Sequence, residues 1–196
     1  MAERGSKQPS EVDVLRRQSK KAWEWFKETA SDVNAEQANW WPPGTANSIG
    51  ATYLHVVINT DVEINRLIER REPLVERRWD GDVGQGFAYE PDRFDQWVRH
   101  VAVDWDRLRE YGRAVHMAFV ESLDELTDEQ LDMAVDMTRS SLGMWQGRDL
   151  YELHGHVHPH IHGGEIAVLK GLQGAIGWAE SEAFRAAVIV KDHLGE

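Results

Sequence analysis

The sequence predicts an all-α protein built as a bundle of helices. Apolar residues recur at intervals of three, four or seven over four long stretches of the chain, which is the spacing of one face of a helix. Proline and glycine clusters separate these stretches, and several stretches begin with residues typical of helix N-termini. No internal repeat divides the 196 residues. We therefore expect one domain over residues 1–196, with residues 1–9 as a loose tail.

The first helix is predicted from residue 10 to about residue 33. It opens with SEVD at residues 10–13, a capping box in which two side chains satisfy free backbone N–H groups. Apolar residues then keep helical spacing until WWPPG at residues 40–44. Paired prolines cannot continue a helix, so we expect a break there.

The second and third helices flank a predicted loop. Asn47 or Ser48 can cap a second helix, which an apolar stripe extends to about Arg70. Three glycines within residues 73–90 predict a long loop. Pro91 suits the first turn of a third helix, and helical spacing then continues to Phe119.

Two short elements are predicted after the third helix. The TDEQ segment at residues 127–130 is another capping box, which indicates a short helical turn. Residues 132–147 fit either a loop or a short hairpin.

The fourth helix is predicted to begin near residues 147–149 and to end at Gly174 and Gly177. We expect it to bury one apolar stripe, formed by Leu150, Leu153, Val157, Ile161, Val168 and Leu172. Apolar spacing predicts a last short helix over about residues 179–193. Four sizeable amphipathic helices in one chain favour a helix bundle.

Composition restricts the partners and the chemistry. The formal net charge is -12, and an acidic surface repels phosphate backbones and anionic membranes, so we expect neither as a partner. No apolar run approaches the roughly 20 residues of a membrane span, and the N-terminus lacks the apolar segment of a secretory signal. The chain has no cysteine, which excludes disulfides and thiolate ligands and is consistent with a cytoplasmic location.

Five of the nine histidines alternate in HGHVHPHIH, residues 154–162. Because residues four apart lie on one face of a helix, roughly 6 Å apart along its axis, two such imidazoles can reach one cation. Spacing does not choose among the pairs 154/158, 158/162 and 156/160. Nor does it choose a third ligand among His55, His100, His116 and His193. Histidines that only pack and hydrogen-bond beside an apolar stripe are the alternative interpretation.

Pro159 lies inside this run. It removes a backbone hydrogen bond to Gly155 and predicts a bend in the helix. Such a bend would re-aim the histidines on either side of it.

Two segments, SIGATYLH at 48–55 and HPHIHGGEI at 158–166, resemble the DinB/YfiT-like metalloenzyme family, the DinB superfamily. Leu108, Tyr111, Leu123 and TDEQL at 127–131 are similar to the family's third helix and the turn that follows it. The likeness covers nearly the whole chain in order and spacing.

The resemblance implies a four-helix bundle of up-down-down-up connectivity, a homodimer, and a divalent metal held by three side chains. The family's first ligand matches His55, and its later pair matches His158 and His162. Zinc and nickel are the metals we expect, because both suit neutral imidazole. Glu165 is interpreted as a solvated charge in preference to a group that supports a ligand.

The implied function is a metal-dependent transferase or hydrolase that acts on a small-molecule substrate. Three histidines leave a coordination position open for a water or a thiol, and relatives use low-molecular-weight thiols such as mycothiol or bacillithiol. A chain without cysteine would depend on such an external thiol. Two alternatives are a protein that stores or senses metal without catalysis, and a metal that only stabilises the bundle.

Overall fold

The computed structural model describes residues 9–79, 101–140 and 142–177. The helices of these ranges are α1 (Glu11–Thr29), α2 (Ala35–Asn39), α3 (Ile49–Glu63), α4 (Leu74–Arg78), α5 (Trp105–Glu125), α6 (Asp128–Asp132), α7 (Gly147–Glu152) and α8 (His158–Leu172). Two π-helical segments follow α3 and α7, at Ile64–Ile68 and Leu153–Val157. A short hairpin of β1 (Ala134–Asp136) and β2 (Met144–Gln146) encloses a 3₁₀ turn, Thr138–Ser140.

The all-α class is confirmed, since the hairpin is the one sheet of the described residues. The up-down-down-up connectivity and the single-domain organisation stay predictions, and the predicted helix over 179–193 lies outside the described residues. Within those residues, no helix is both long and apolar enough to span a bilayer.

The capping boxes at Ser10 and Thr127 form as the sequence predicts. The end of the first helix differs, because α1 stops at Thr29 and a second short helix starts at Ala35. Asn34 causes this restart. Its side chain accepts a hydrogen bond from the Gln37 N–H at 2.9 Å, and its own N–H donates to the Gln37 side chain at 3.0 Å.

The prediction of the third helix is wrong over residues 101–104, which are not helical. Asn39 holds the backbone of Val103 in place of a helix, accepting from its N–H at 2.8 Å and donating to its carbonyl at 3.0 Å. Asp104 then caps α5. Residues 80–100, with the predicted start at Pro91, lie outside the described part of the chain.

The predicted loop over 73–90 is wrong at its start, where α4 forms. The carboxylate of Asp61, on α3, accepts from the N–H groups of Leu74 at 2.9 Å and Val75 at 2.8 Å. Tyr111 donates to the same carboxylate at 2.7 Å. A buried acid 13 residues away thus caps α4, which no local pattern can indicate. Among residues 132–147, the hairpin alternative is confirmed, with Val135 opposite Trp145.

The predicted stripe of the fourth helix is wrong in its second half, because Ile161, Val168 and Leu172 are 56%, 63% and 62% exposed. Each π-type hydrogen bond in Leu153–Val157 spans five residues instead of four, which rotates the following helix relative to an uninterrupted α-helix. The buried side of α8 consists of Pro159, Gly163, Ile166, Ala167, Leu169 and Lys170.

Glycines let α8 and the π-helical segment before it approach α1 closely. A Cβ at Gly155 would overlap the hydroxyl of Ser19, and a Cβ at Gly163 would overlap the indole of Trp25. A search for apolar residues does not find such positions, because glycine allows close packing by having no side chain. The glycine side of the helix therefore faces α1.

Gly163→Ala is expected to lower the free energy of unfolding by about 1–3 kcal/mol, since the new methyl group overpacks against Trp25. Gly164→Ala is the matched control, because nothing lies within 4 Å of a Cβ there. Alanine favours a helix over glycine by up to about 1 kcal/mol, so this variant should be at least as stable as the parent. Urea denaturation measures both variants, and equal stabilities would contradict the close approach.

Candidate metal centre

Three histidines from two helices converge in the bundle. His55 lies on α3, and His158 and His162 lie one turn apart on α8. The nitrogen atoms that they present all lie within 4.8 Å of one another, so the group can hold a metal ion. The ring centroid of His55 is 5.4 Å from that of His158 and 4.8 Å from that of His162, and the latter two are 5.3 Å apart.

His162 is oriented by a carboxylate. Its Nδ1–H donates to Glu165 Oε2 at 2.7 Å, and in this tautomer the lone pair that can bind a cation lies on Nε2. That hydrogen bond lowers the pKa of Glu165. The interpretation of Glu165 as only a solvated charge is therefore incomplete. Its side chain is 53% exposed, yet it fixes the tautomer of a candidate ligand.

His158 carries a buried nitrogen without a partner. Its Nδ1 finds no hydrogen bond among the described residues, and such orphaned polar atoms are uncommon in folded proteins. Burial, and then the neighbouring His154 and His55, lower the pKa of His158 to about 2. The imidazole is therefore neutral, the form that binds a cation. A bound cation would stabilise this part of the bundle. The largely buried, neutral imidazole of His158 therefore fits a metal ion.

His55 is also neutral. Burial, and then His162 and His154, lower its pKa to about 4. Its Nδ1 lies 3.3 Å from Asn59 Nδ2, one turn further along α3. The apolar pattern of α3 does not single out His55, because most of this helix is buried on all sides. Only the family resemblance indicates it.

His154 lies beneath the triad and is fully buried. Its Nε2–H donates to Glu63 Oε2 at 2.8 Å, and its Nδ1 lies 3.3 Å from Thr60 Oγ1. Its ring meets that of His158 edge to face, with 5.2 Å between centroids. The sequence indicates His154 only as a member of one possible pair, 154/158, and Glu63 is not among the predicted site residues. The available signal was the pair of acidic residues, Asp61 and Glu63, inside the predicted second helix.

The other histidines lie apart from the triad. His116 stacks on Trp23 with 5.0 Å between ring centroids, and its Nδ1 lies 3.3 Å from Lys27 Nζ. His156 and His160 form a separate pair with a centroid separation of 4.7 Å. The remaining two candidates for a third ligand, His100 and His193, lie outside the described residues.

Pro159 does not separate the proposed ligands. It lies in the first turn of α8, where its missing N–H costs little. The distortion lies just before it, in the π-helical segment Leu153–Val157, where the His158 N–H reaches back to the Leu153 carbonyl. His158 and His162 therefore remain on one continuous α-helix. Their binding of a metal stays a prediction.

Comparisons with known proteins agree with this fold. The family model described as DinB superfamily matches residues 18–166, more than half of the chain. The chain is also similar to a crystal structure of a conserved protein from Enterococcus faecalis. The TM-score is 0.66 at 18% identity, and the match covers 84% of this chain and 97% of the other. At that identity the likeness shows the fold alone. No curated protein matches the chain.

Because His116 is largely buried, we expect the free energy of unfolding to fall in mild acid. Burial, and then the charge of Lys27, lower its pKa to about 4, whereas the unfolded chain keeps a value of about 6.5. Between these two values the unfolded state binds more protons, so the free energy of unfolding falls as the pH falls through this window. His116→Gln removes the titrating group. We expect this variant to lose less stability than the parent between about pH 7 and about pH 4.5.

Urea denaturation of metal-free protein measures this difference. Met117→Gln, at the exposed and non-titrating residue next to His116, serves as the control and should keep the parent's pH dependence. An unchanged pH dependence in the His116 variant would show that this residue is not buried in its neutral form.

Proposed function

The chain belongs to the DinB superfamily, and from this premise we propose that it is a metal-dependent enzyme whose cation is held by His55, His158 and His162. The observation that carries the proposal is the convergence of three imidazoles from two helices, with nitrogen atoms within 4.8 Å of one another. Two of these imidazoles are neutral because burial lowers their pKa. Histidines that only pack and form hydrogen bonds would not need to bring three nitrogen atoms to one point.

The ligand set favours a borderline cation. Imidazole nitrogen suits zinc, nickel, copper and iron(II), whereas magnesium and calcium prefer oxygen ligands. We propose zinc or nickel. Three protein ligands leave one position open on a tetrahedral ion, which is the arrangement of catalytic sites. When bound, the cation supplies a Lewis acid that lowers the pKa of a water or thiol coordinated to it.

The residues around the triad determine how a substrate reaches it. His162 keeps 17% of its side chain exposed and Glu165 keeps 53%, whereas His154 is completely enclosed. A small molecule can therefore approach from the side of His162 and Glu165. Glu165 holds the proton on His162 Nδ1, and Glu63 holds His154 on the closed side. These hydrogen bonds keep the imidazoles fixed while the open side exchanges substrate.

We propose transfer or hydrolysis on a small molecule as the reaction, with a low-molecular-weight thiol as a second substrate. The chain contains no cysteine, so a thiol at this site has to come from solution. A homodimer and a cytoplasmic location belong to the same proposal. The second candidate is a metal-binding protein without catalysis, and the additional histidine pair His156 and His160 favours it.

Cobalt(II) substitution tests the site and the thiol together. We expect the metal-free protein to bind about one Co²⁺ tightly and to show the visible absorption of a four-coordinate ion. His55→Ala, His158→Ala and His162→Ala should each abolish that absorption, because two ligands hold the ion too weakly. Adding mycothiol or bacillithiol to the cobalt form of the parent should produce a sulfur-to-cobalt charge-transfer band.

His116→Ala is the matched control, since it removes a buried histidine away from the triad. It should keep the cobalt spectrum. Full cobalt binding by folded triad variants would contradict the metal centre. A normal cobalt spectrum that no thiol alters would remove the thiol from the proposal and would leave the metal centre in place.

A further inference from the structure

A second pair of histidines has the geometry of a metal site. His156 lies in the π-helical segment and His160 in the first turn of α8. Their ring centroids are 4.7 Å apart, with an angle of 65° between the planes. The rings of the triad are separated by 4.8 to 5.4 Å. The second pair is therefore at least as close together as rings that can share one ion.

His160 is held with one nitrogen available. Its Nδ1–H donates to the backbone carbonyl of His156 at 2.9 Å, so the proton is on Nδ1 and the lone pair of Nε2 remains available for a cation. The Trp25 ring stacks on it, with 5.5 Å between centroids and 21° between planes. A side chain fixed in this way loses little conformational entropy when it binds an ion.

His156 supplies the second donor. Its Nδ1 is enclosed and finds no hydrogen-bond partner among the described residues, so the nitrogen that a cation from solution can reach is Nε2. His160 is exposed, so the pair is accessible from solution. The chain carries a formal net charge of -12, which raises the concentration of cations near its surface. Two imidazoles four residues apart, one fixed and one unpartnered, thus form an accessible bidentate group.

We propose that His156 and His160 form a second, weaker binding site for a borderline divalent cation such as Ni²⁺ or Zn²⁺. Two imidazoles bind the ion and water completes its coordination. The site has one protein ligand fewer than the triad and is open to solvent, so its ion exchanges readily. Together with the proposed triad site, this would give the chain two bound cations, one between α3 and α8 and one exchangeable at the surface. This site does not depend on the proposed enzyme function.

Calorimetric titration of metal-free protein with Ni²⁺ tests the second site. The parent should show two classes of binding, one tight and one weak. His160→Ala should keep the tight class and weaken the other by at least about tenfold, since loss of a direct ligand costs no less than loss of a supporting group. His156→Ala should do the same. Conversely, His55→Ala should lose the tight class and keep the weak one.

Ile161→Ala provides the control. Ile161 is an exposed neighbour on the same helix and has no donor atom, so this variant should bind Ni²⁺ as the parent does. Because His160 is exposed, its variant is expected to fold, and circular dichroism checks this. Weak binding that persists in both the His156 and His160 variants would overturn the proposal, as would the absence of a weak class in the parent. If the triad binds nothing, the weak class should still disappear with His160→Ala.

Discussion

The close packing of α8 against α1 and α3 is the constraint on which the histidine centre depends. Gly155 and Gly163 leave room for Ser19 and Trp25 of α1, and this contact fixes the position of α8. On its other side the same helix faces α3, which carries His55. Larger residues at the two glycines would push the helices apart and would separate the imidazoles. The triad is therefore a product of backbone packing as much as of histidine spacing.

A polar layer lies next to this packed interface. Glu63 and His154 form a buried hydrogen bond close to where each π-helical segment begins, since Ile64–Ile68 follows Glu63 and Leu153–Val157 contains His154. π-Helical segments are uncommon and often mark functional sites, because each adds a residue and changes the direction of the side chains that follow. Here the second segment precedes His158 and sets the face that α8 presents.

The sequence predicts the helices best where local chemistry decides. The capping boxes at Ser10 and Thr127 are complete within four residues, and both are found. The errors occur where distant groups decide. Asn39 binds the backbone of Val103 across 64 residues and prevents the predicted helix there, and Asp61 caps α4 from another helix. Periodicity contains no information on either contact.

The candidate site shows the same division. The spacing of four between His158 and His162 predicts that both can reach one ion, but it predicts the same for His156 and His160. Only the family resemblance distinguishes the pairs and adds His55. The supporting hydrogen bond from His162 to Glu165 is local, at a spacing of three. The bond between His154 and Glu63 spans 91 residues, so it could be found only in the folded chain.

Anomalous X-ray diffraction from crystals grown with Zn²⁺ is the sharpest test of the triad as a metal site. Data collected on either side of the zinc absorption edge locate the ion independently of any assumption about its ligands. We expect the strongest anomalous peak between the imidazoles of His55, His158 and His162. A strongest peak elsewhere, with these three rings unliganded, would contradict it.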